Sequence, residues 1–281
     1  MPIKILRLGY TENTLLFIYW MNNYKKINNF YLTEAKNKFI KWLYTTSGYY
    51  DNTIKSDYMD AKHDIEDPQI YNEYMNLCFE FIKNSDNFQF CLHKITNNMD
   101  YYDEFKHVFN CKNNNHISQE MLFNFIRDKK ILIISPFASL FKQQIESKNI
   151  NIIYTNMPNI KNVDIYNNEY TFFNKGQENN IFETAKKIFN DILKHNYSYE
   201  SVIISCGAYS IILAKLFFDI DKNVLTIGGD LQTFFGVLNS RTNDYYIKNN
   251  IELKNKEYWI VNIPDEYKPK NYEKIENGCY W

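Results

Sequence analysis

The sequence predicts an α/β protein with a parallel sheet in its C-terminal half and a mainly helical N-terminal region packed on it. Two observations carry this. Residues 201–236 read SVIISCGAYSIILAKLFFDIDKNVLTIGGDLQTFFG, which is two strand–turn–helix units in succession. Val202–Ser205 and Val224–Ile227 are apolar, β-branched runs, each broken by small residues and followed by a helix pattern. An earlier unit repeats the plan: KILIIS at Lys130–Ser135, then Pro136 and a helix over Phe137–Glu146. Strands alternating with helices imply parallel pairing through right-handed crossovers.

The elements follow in order. Ile3–Leu8 is a strand candidate, Arg7–Glu12 (RLGYTE) a turn, and Thr14–Tyr24 an amphipathic helix. Thr33 caps a helix through Leu43, and Thr45–Asp67, polar and Tyr-rich, reads as mostly loop. Asp67-Pro68 has the Asp N-cap, Pro N1 pattern of a helix start, continuing to Lys83. Phe88–His93 suggests a strand; Asp100–Phe109 and Ser118–Arg127 suggest helices. Asn151–Tyr154 reads as a strand, a looser stretch follows through Gln177, and Ile181–His195 is a long amphipathic helix. After Arg241 the chain turns polar and aromatic. A boundary is expected near residue 127. Residues 1–127 form the helical region, whose first strand and RLGYTE turn join the site; residues 128–281 form the sheet domain with an aromatic tail.

Composition narrows the function classes. The chain has 281 residues, 45% of them hydrophobic, so a real core is expected. A formal net charge of -1 argues against nucleic acid as the main partner. Five Cys occur without a CxxC pair or zinc-ligand spacing, and no signal peptide opens the sequence, which points to a reducing, cytoplasmic setting. No apolar run approaches the ~18 residues of a membrane span. Arg appears only at positions 7, 127 and 241 of a Lys-rich chain, which marks Arg7 and Arg241 as positions that need a planar fork for phosphate or carboxylate.

The two adjacent crossings are the candidate site. Ser205, Cys206, Gly207, Ala208 and Tyr209 form one; Gly228, Gly229 and Asp230 form the other, with Gln232 a turn further on. Small residues let backbone N–H groups approach an anion, a helix N-terminus adds positive partial charge, and such sheets bind ligands at these crossings. An ordinary strand-to-helix turn explains the same residues. Cys206 is a nucleophile at a helix N-terminus or a small buried residue. Asp230 reaches a ribose, a sugar hydroxyl or a metal, or only caps its helix. Gln232 hydrogen-bonds a base or sugar, or faces solvent. Arg7, Gly9 and Glu12 form a second cluster: Arg7 grips phosphate and Glu12 acts as base or metal ligand, or the two form an ion pair. Arg241, read as following a helix end, neutralises a leaving diphosphate or compensates the helix dipole. His63–Asp67 reads as a solvated acidic loop, and the GCYW tail as a docked segment that walls the site. No GxGxxG follows a strand, which argues against a dinucleotide oxidoreductase.

Three segments carry a resemblance: KILIISPFASLFKQQI at 130–145, VIISCGAYSIILAKLF through GGDLQTFFG at 202–236, and PKNYEKIENGCYW at 269–281. Together they resemble a largely uncharacterised family found in polysaccharide and glycan gene clusters of bacteria and large DNA viruses, with CGAYG, GGxxQxxFG and GCYW motifs. RLGYTE matches that family's RxGxxE pattern, and the layout is similar to GT-D type glycosyltransferases, which are Rossmann-like and carry an early RxGDGE motif. The resemblance implies glycan biosynthesis with a nucleotide-sugar donor and a glycan acceptor, in the host cytoplasm for a viral member. It implies Glu12 or Asp230 as the acidic residue that deprotonates the acceptor. Tyr10 stands where the GT-D motif has Asp, and Thr11 where it has Gly, so a Mn or Mg requirement does not carry over directly. A non-catalytic nucleotide- or glycan-binding accessory protein is the alternative.

Overall fold

Short continuous apolar runs build a sheet whose central strands are buried on both faces. The computed structural model describes residues 1–28, 30–51, 69–83, 85–89, 99–109, 117–172 and 176–281. Its strands are β1 (Lys4–Arg7), β2 (Asn87–Gln89), β3 (Lys130–Ile134), β4 (Asn162–Tyr166), β5 (Ser201–Ile204) and β6 (Asn223–Thr226). They form one six-stranded sheet in the order β2-β1-β6-β5-β3-β4. Every pairing is parallel, with Val202 of β5 opposite Leu132 of β3 and Val224 of β6, and Ile5 of β1 opposite Leu225. This is a Rossmann-like α/β fold. Its sheet takes strands from both sides of residue 127, because β6 pairs with β1 as well as with β5.

The helices are α1 (Tyr10–Tyr24), α2 (Phe30–Thr46), α3 (Gln69–Lys83), α4 (Met99–Val108), α5 (Gln119–Ile126), α6 (Ala138–Glu146), α7 (Asn149–Ile153), α8 (Ile181–Lys194), α9 (Tyr209–Phe218), α10 (Asp230–Phe234) and α11 (Ser240–Lys248). Side chains at alternate strand positions enter different cores. Leu6, Leu132, Ile134, Val202, Ile204 and Val224 pack with α1, α2, α3, α8 and α9. Ile5, Ile131, Ile133, Ile203 and Leu225 pack with α5, α6, α10 and the tail residues Ile275 and Trp281. Each such side chain, fully buried, contributes about 1.5–3 kcal/mol. Helix starts are fixed locally: Ser118 accepts from the Met121 N–H, and Asn180 accepts from the N–H groups of Phe182 and Glu183.

Several expectations need correction. Asn151–Tyr154 is not a strand; Asn149–Ile153 is helix α7, which starts after Lys148 at a left-handed φ of 62°. A short apolar run carries no helix-or-strand signature of its own. The strand lies instead in the supposedly loose stretch, as β4, a half-exposed edge strand with weak patterning. Helix α1 begins at Tyr10, so Tyr10–Glu12 is its first turn rather than part of a loop. Thr33 lies inside α2, whose Thr45 and Thr46 are helical too. Asn239 accepts from the Thr242 N–H and thereby starts α11, so Arg241 stands at a helix beginning, not after an end. The expected start at Asp67-Pro68, the loop 52–68 with His63–Asp67, and residues 90–93 lie outside the described residues.

Candidate active site at the carboxyl edge of the sheet

Strand ends converge on a cavity of about 760 Å³. Arg7–Glu12 follow β1, Pro136 and Phe137 follow β3, Asn168–Phe172 follow β4, Ser205–Gly207 follow β5, and Ile227–Asp230 follow β6. The end of α2 and the C-terminal tail close the sides. Every candidate residue from the sequence lines this cavity except Ala208, which is buried behind it. The N-terminal motif thus meets the two crossings, which are about 200 residues away in sequence, because β1 lies beside β6.

Glu12 is the most perturbed acid in the cavity. Only 4% exposed, it has its carboxyl pushed up to about 7, first by burial and then by the negative charge of Glu276. Its own backbone amide, Arg7 and the Ser47 hydroxyl pull the other way without cancelling the burial. Gly9 makes the room: a Cβ there would lie 2.2 Å from Glu12 Oε2. Glu12 occupies the first turn of α1, where the helix N-terminus favours its charged form. A carboxyl poised near neutrality is suited to proton transfer.

Arg7 does not pair chiefly with Glu12. Its guanidinium lies against Gly228, where a Cβ would be 2.0 Å from Nη1, and its Nη2 stands 3.7 Å from Asp230 Oδ2. Asp230 is the first residue of α10, and Gly229 occupies the cap position, so Asp230 is not the helix cap. Arg241 Nη2 bonds Glu276 and the Cys279 sulfur, and its guanidinium lies over the Tyr280 ring, 5.0 Å from the centroid. The arginine thus clamps the tail while lining the cavity.

The crossings are less open than expected. The Cys206 N–H donates to Ser210 Oγ (3.1 Å) and the Ala208 N–H to the Ser47 carbonyl (2.9 Å), so these amides are spent inside the protein. Ser205 Oγ donates to the Gly228 carbonyl and ties the crossings together. Gly229 does not expose bare backbone; a Cβ there would lie 2.9 Å from the Tyr280 ring. Gln232 neither faces solvent nor awaits a ligand: it donates to the Tyr280 carbonyl and accepts from Asn239, both at 2.8 Å. Cys206 does not have the lowered pKa of a nucleophile, since burial pushes its thiol up to about 12. Tyr209 is buried, with its hydroxyl bonded to Thr171.

The tail docks as a wall. Trp281 is 8% exposed, donates from Nε1 to the Tyr267 carbonyl (2.8 Å), and packs on Phe137, Tyr170 and Phe172. Tyr170, Phe172, Trp42 and Tyr280 give the cavity aromatic sides suited to stacking against a sugar or a base. Sequence reasoning missed Ser47, Trp42, Thr171 and the 168–172 loop. Only the alternation in β4 marks that loop as a strand end; nothing local marks Ser47.

Arg7 holds Asp230 and Arg241 holds Glu276, and among the described residues no three His, Cys, Asp or Glu group as metal ligands. Among those residues no helix is long and apolar enough to cross a membrane. No family model, curated protein or solved structure matches the chain.

Proposed function

We propose that this protein is a glycosyltransferase-like enzyme of glycan or polysaccharide biosynthesis that uses a nucleotide-sugar donor in the cytoplasm. The observation that carries this reading is Glu12, a buried carboxyl with a pKa of about 7, set beside Arg7 in a large cavity with aromatic sides. Donor diphosphate displaces the loose Asp230 partner of Arg7 and takes its planar fork. Arg241 supports the second phosphate. Aromatic faces such as Tyr170, Phe172 and Trp42 stack on base and sugars. Glu12 accepts the proton of the acceptor hydroxyl as that oxygen bonds to the anomeric carbon. The bond from that carbon to the phosphate oxygen breaks, and the arginines stabilise the departing nucleotide. The motif resemblance at 7–12, 202–236 and 269–281 supports the same reading.

A second reading has its own support. Each arginine already holds a carboxylate, Asp230 or Glu276, which suits a neutral glycan ligand and a non-catalytic binding role. A thermal-shift screen separates them. A transferase is stabilised by one class among UDP-, GDP-, CMP- and dTDP-sugars, with or without Mn²⁺. An accessory protein is stabilised by oligosaccharide alone, and that result would overturn the enzyme assignment.

A further inference from the structure

A side chain of β6 fastens Arg7 at the edge of the sheet. Strands β1 and β6 pair at Lys4–Val224 and Ile5–Leu225. At Arg7 the Thr226 hydroxyl stands between them: its Oγ1 accepts the Arg7 N–H at 2.7 Å and donates to the Arg7 carbonyl at 2.9 Å. Thr226 is fully buried, and its one hydroxyl satisfies both backbone groups of Arg7. The arginine side chain has a berth two residues further along. A Cβ on Gly228 would lie 2.0 Å from Arg7 Nη1 and 3.2 Å from Cζ. Gly228 is not among the positive-φ glycines, so glycine serves here for space and not for backbone freedom. Ser205 Oγ donates to the Gly228 carbonyl at 3.1 Å and ties this berth to the end of β5.

We propose that Thr226 and Gly228 are positioning residues for the Arg7 fork: the Thr226 hydroxyl fixes the backbone from which the side chain springs, and Gly228 sets the surface on which the guanidinium lies. The inference rests on the phosphate-binding role proposed for Arg7. It gives Gly228 a purpose other than backbone contact with phosphate. A planar guanidinium that meets two phosphate oxygens in parallel depends on its orientation, where an ammonium acts as a point charge. At 3.7 Å from Nη2, Asp230 Oδ2 balances the charge of Arg7 without directing it. Direction comes from the two β6 residues, and both act through Arg7 alone.

The test is a set of double-mutant cycles read by titration calorimetry, with inorganic pyrophosphate and with the nucleotide-sugar that stabilises the protein in the thermal-shift screen. Thr226→Val, Thr226→Ser and Gly228→Ala are each made with Arg7 present and with Arg7→Ala. Thr226→Val keeps the size of the side chain and loses the hydroxyl; Thr226→Ser keeps the hydroxyl. Gly228→Ala breaks none of these hydrogen bonds and pushes the guanidinium aside, so it carries the test where Thr226→Val fails to fold. With Arg7 present, Thr226→Val and Gly228→Ala should each weaken binding about tenfold, the scale of one impaired hydrogen bond to a charged group. Thr226→Ser should bind like the wild type. In the Arg7→Ala background all three should bind alike. Equal losses with and without Arg7 overturn the positioning role, and so does wild-type affinity in Gly228→Ala. Pyrophosphate binding without any bound nucleotide-sugar overturns the donor reading and leaves the pyrophosphate cycles to decide this inference. A wild type that binds neither ligand overturns both.

Discussion

Glu12→Gln should stabilise this protein, and only at neutral and alkaline pH. The folded protein holds the Glu12 proton up to about 7, against an ordinary value of 4.5. Between those values the native state binds a proton that the unfolded chain has released, so wild-type stability falls as pH rises through this window. At about 1.4 kcal/mol per pH unit, the full window amounts to about 3 kcal/mol. Gln carries no charge, so the variant escapes this loss. Any cost of the amide in the Gly9 pocket is the same at every pH and drops out of the comparison. Urea denaturation of both proteins at pH 4.5 and 8.5 measures it: the variant should gain about 3 kcal/mol relative to the wild type from the lower pH to the higher. A difference that stays constant with pH would mean that Glu12 titrates normally, and the argument for a poised base would fall.

Other outcomes follow from the same contacts. Alkylation mapped by mass spectrometry should leave Cys206 unmodified in the folded protein, because its thiol is buried and pushed up to about 12; rapid labelling would restore it as a nucleophile candidate. Gly229→Val should displace Tyr280 rather than a ligand directly, costing about 1–3 kcal/mol and exposing the bond after Lys274 to trypsin; an intact tail would contradict the docked geometry. Arg7→Lys should weaken nucleotide-sugar binding by about tenfold in titration calorimetry, since an ammonium cannot lie flat on Gly228 or offer two parallel donors; unchanged affinity would remove Arg7 from the site.

How far the sequence revealed this arrangement depended on how strongly each segment is patterned. Strands β3, β5 and β6 are central and buried on both faces, so their apolar runs stand out. Strand β4 sits at the sheet edge, half-exposed, and its mixed composition hides it, while the short run at Asn151–Tyr154 imitates a strand and forms the end and C-cap of helix α7. The site was legible where residue type is unusual: rare Arg, paired small residues at strand ends, an acidic residue after a glycine. Their partners were not. Gln232 and Arg241 turn toward the tail, and Gly228 and Gly229 make room for Arg7 and Tyr280, because contacts distant in sequence fill the space that a local pattern leaves open. Ser47 enters the site only through the packing of α2 against the first crossing.

The most direct test of the central claim is single-turnover release of nucleotide from the nucleotide-sugar that stabilises the protein in the thermal-shift screen, with a glycan acceptor, for wild type and Glu12→Gln. The account predicts donor binding of similar affinity in both and a rate at least 100-fold lower in the variant, the scale of one lost general base. Equal rates in the two proteins would contradict it, and so would donor binding lost together with the carboxyl, which would make Glu12 a binding group rather than the base.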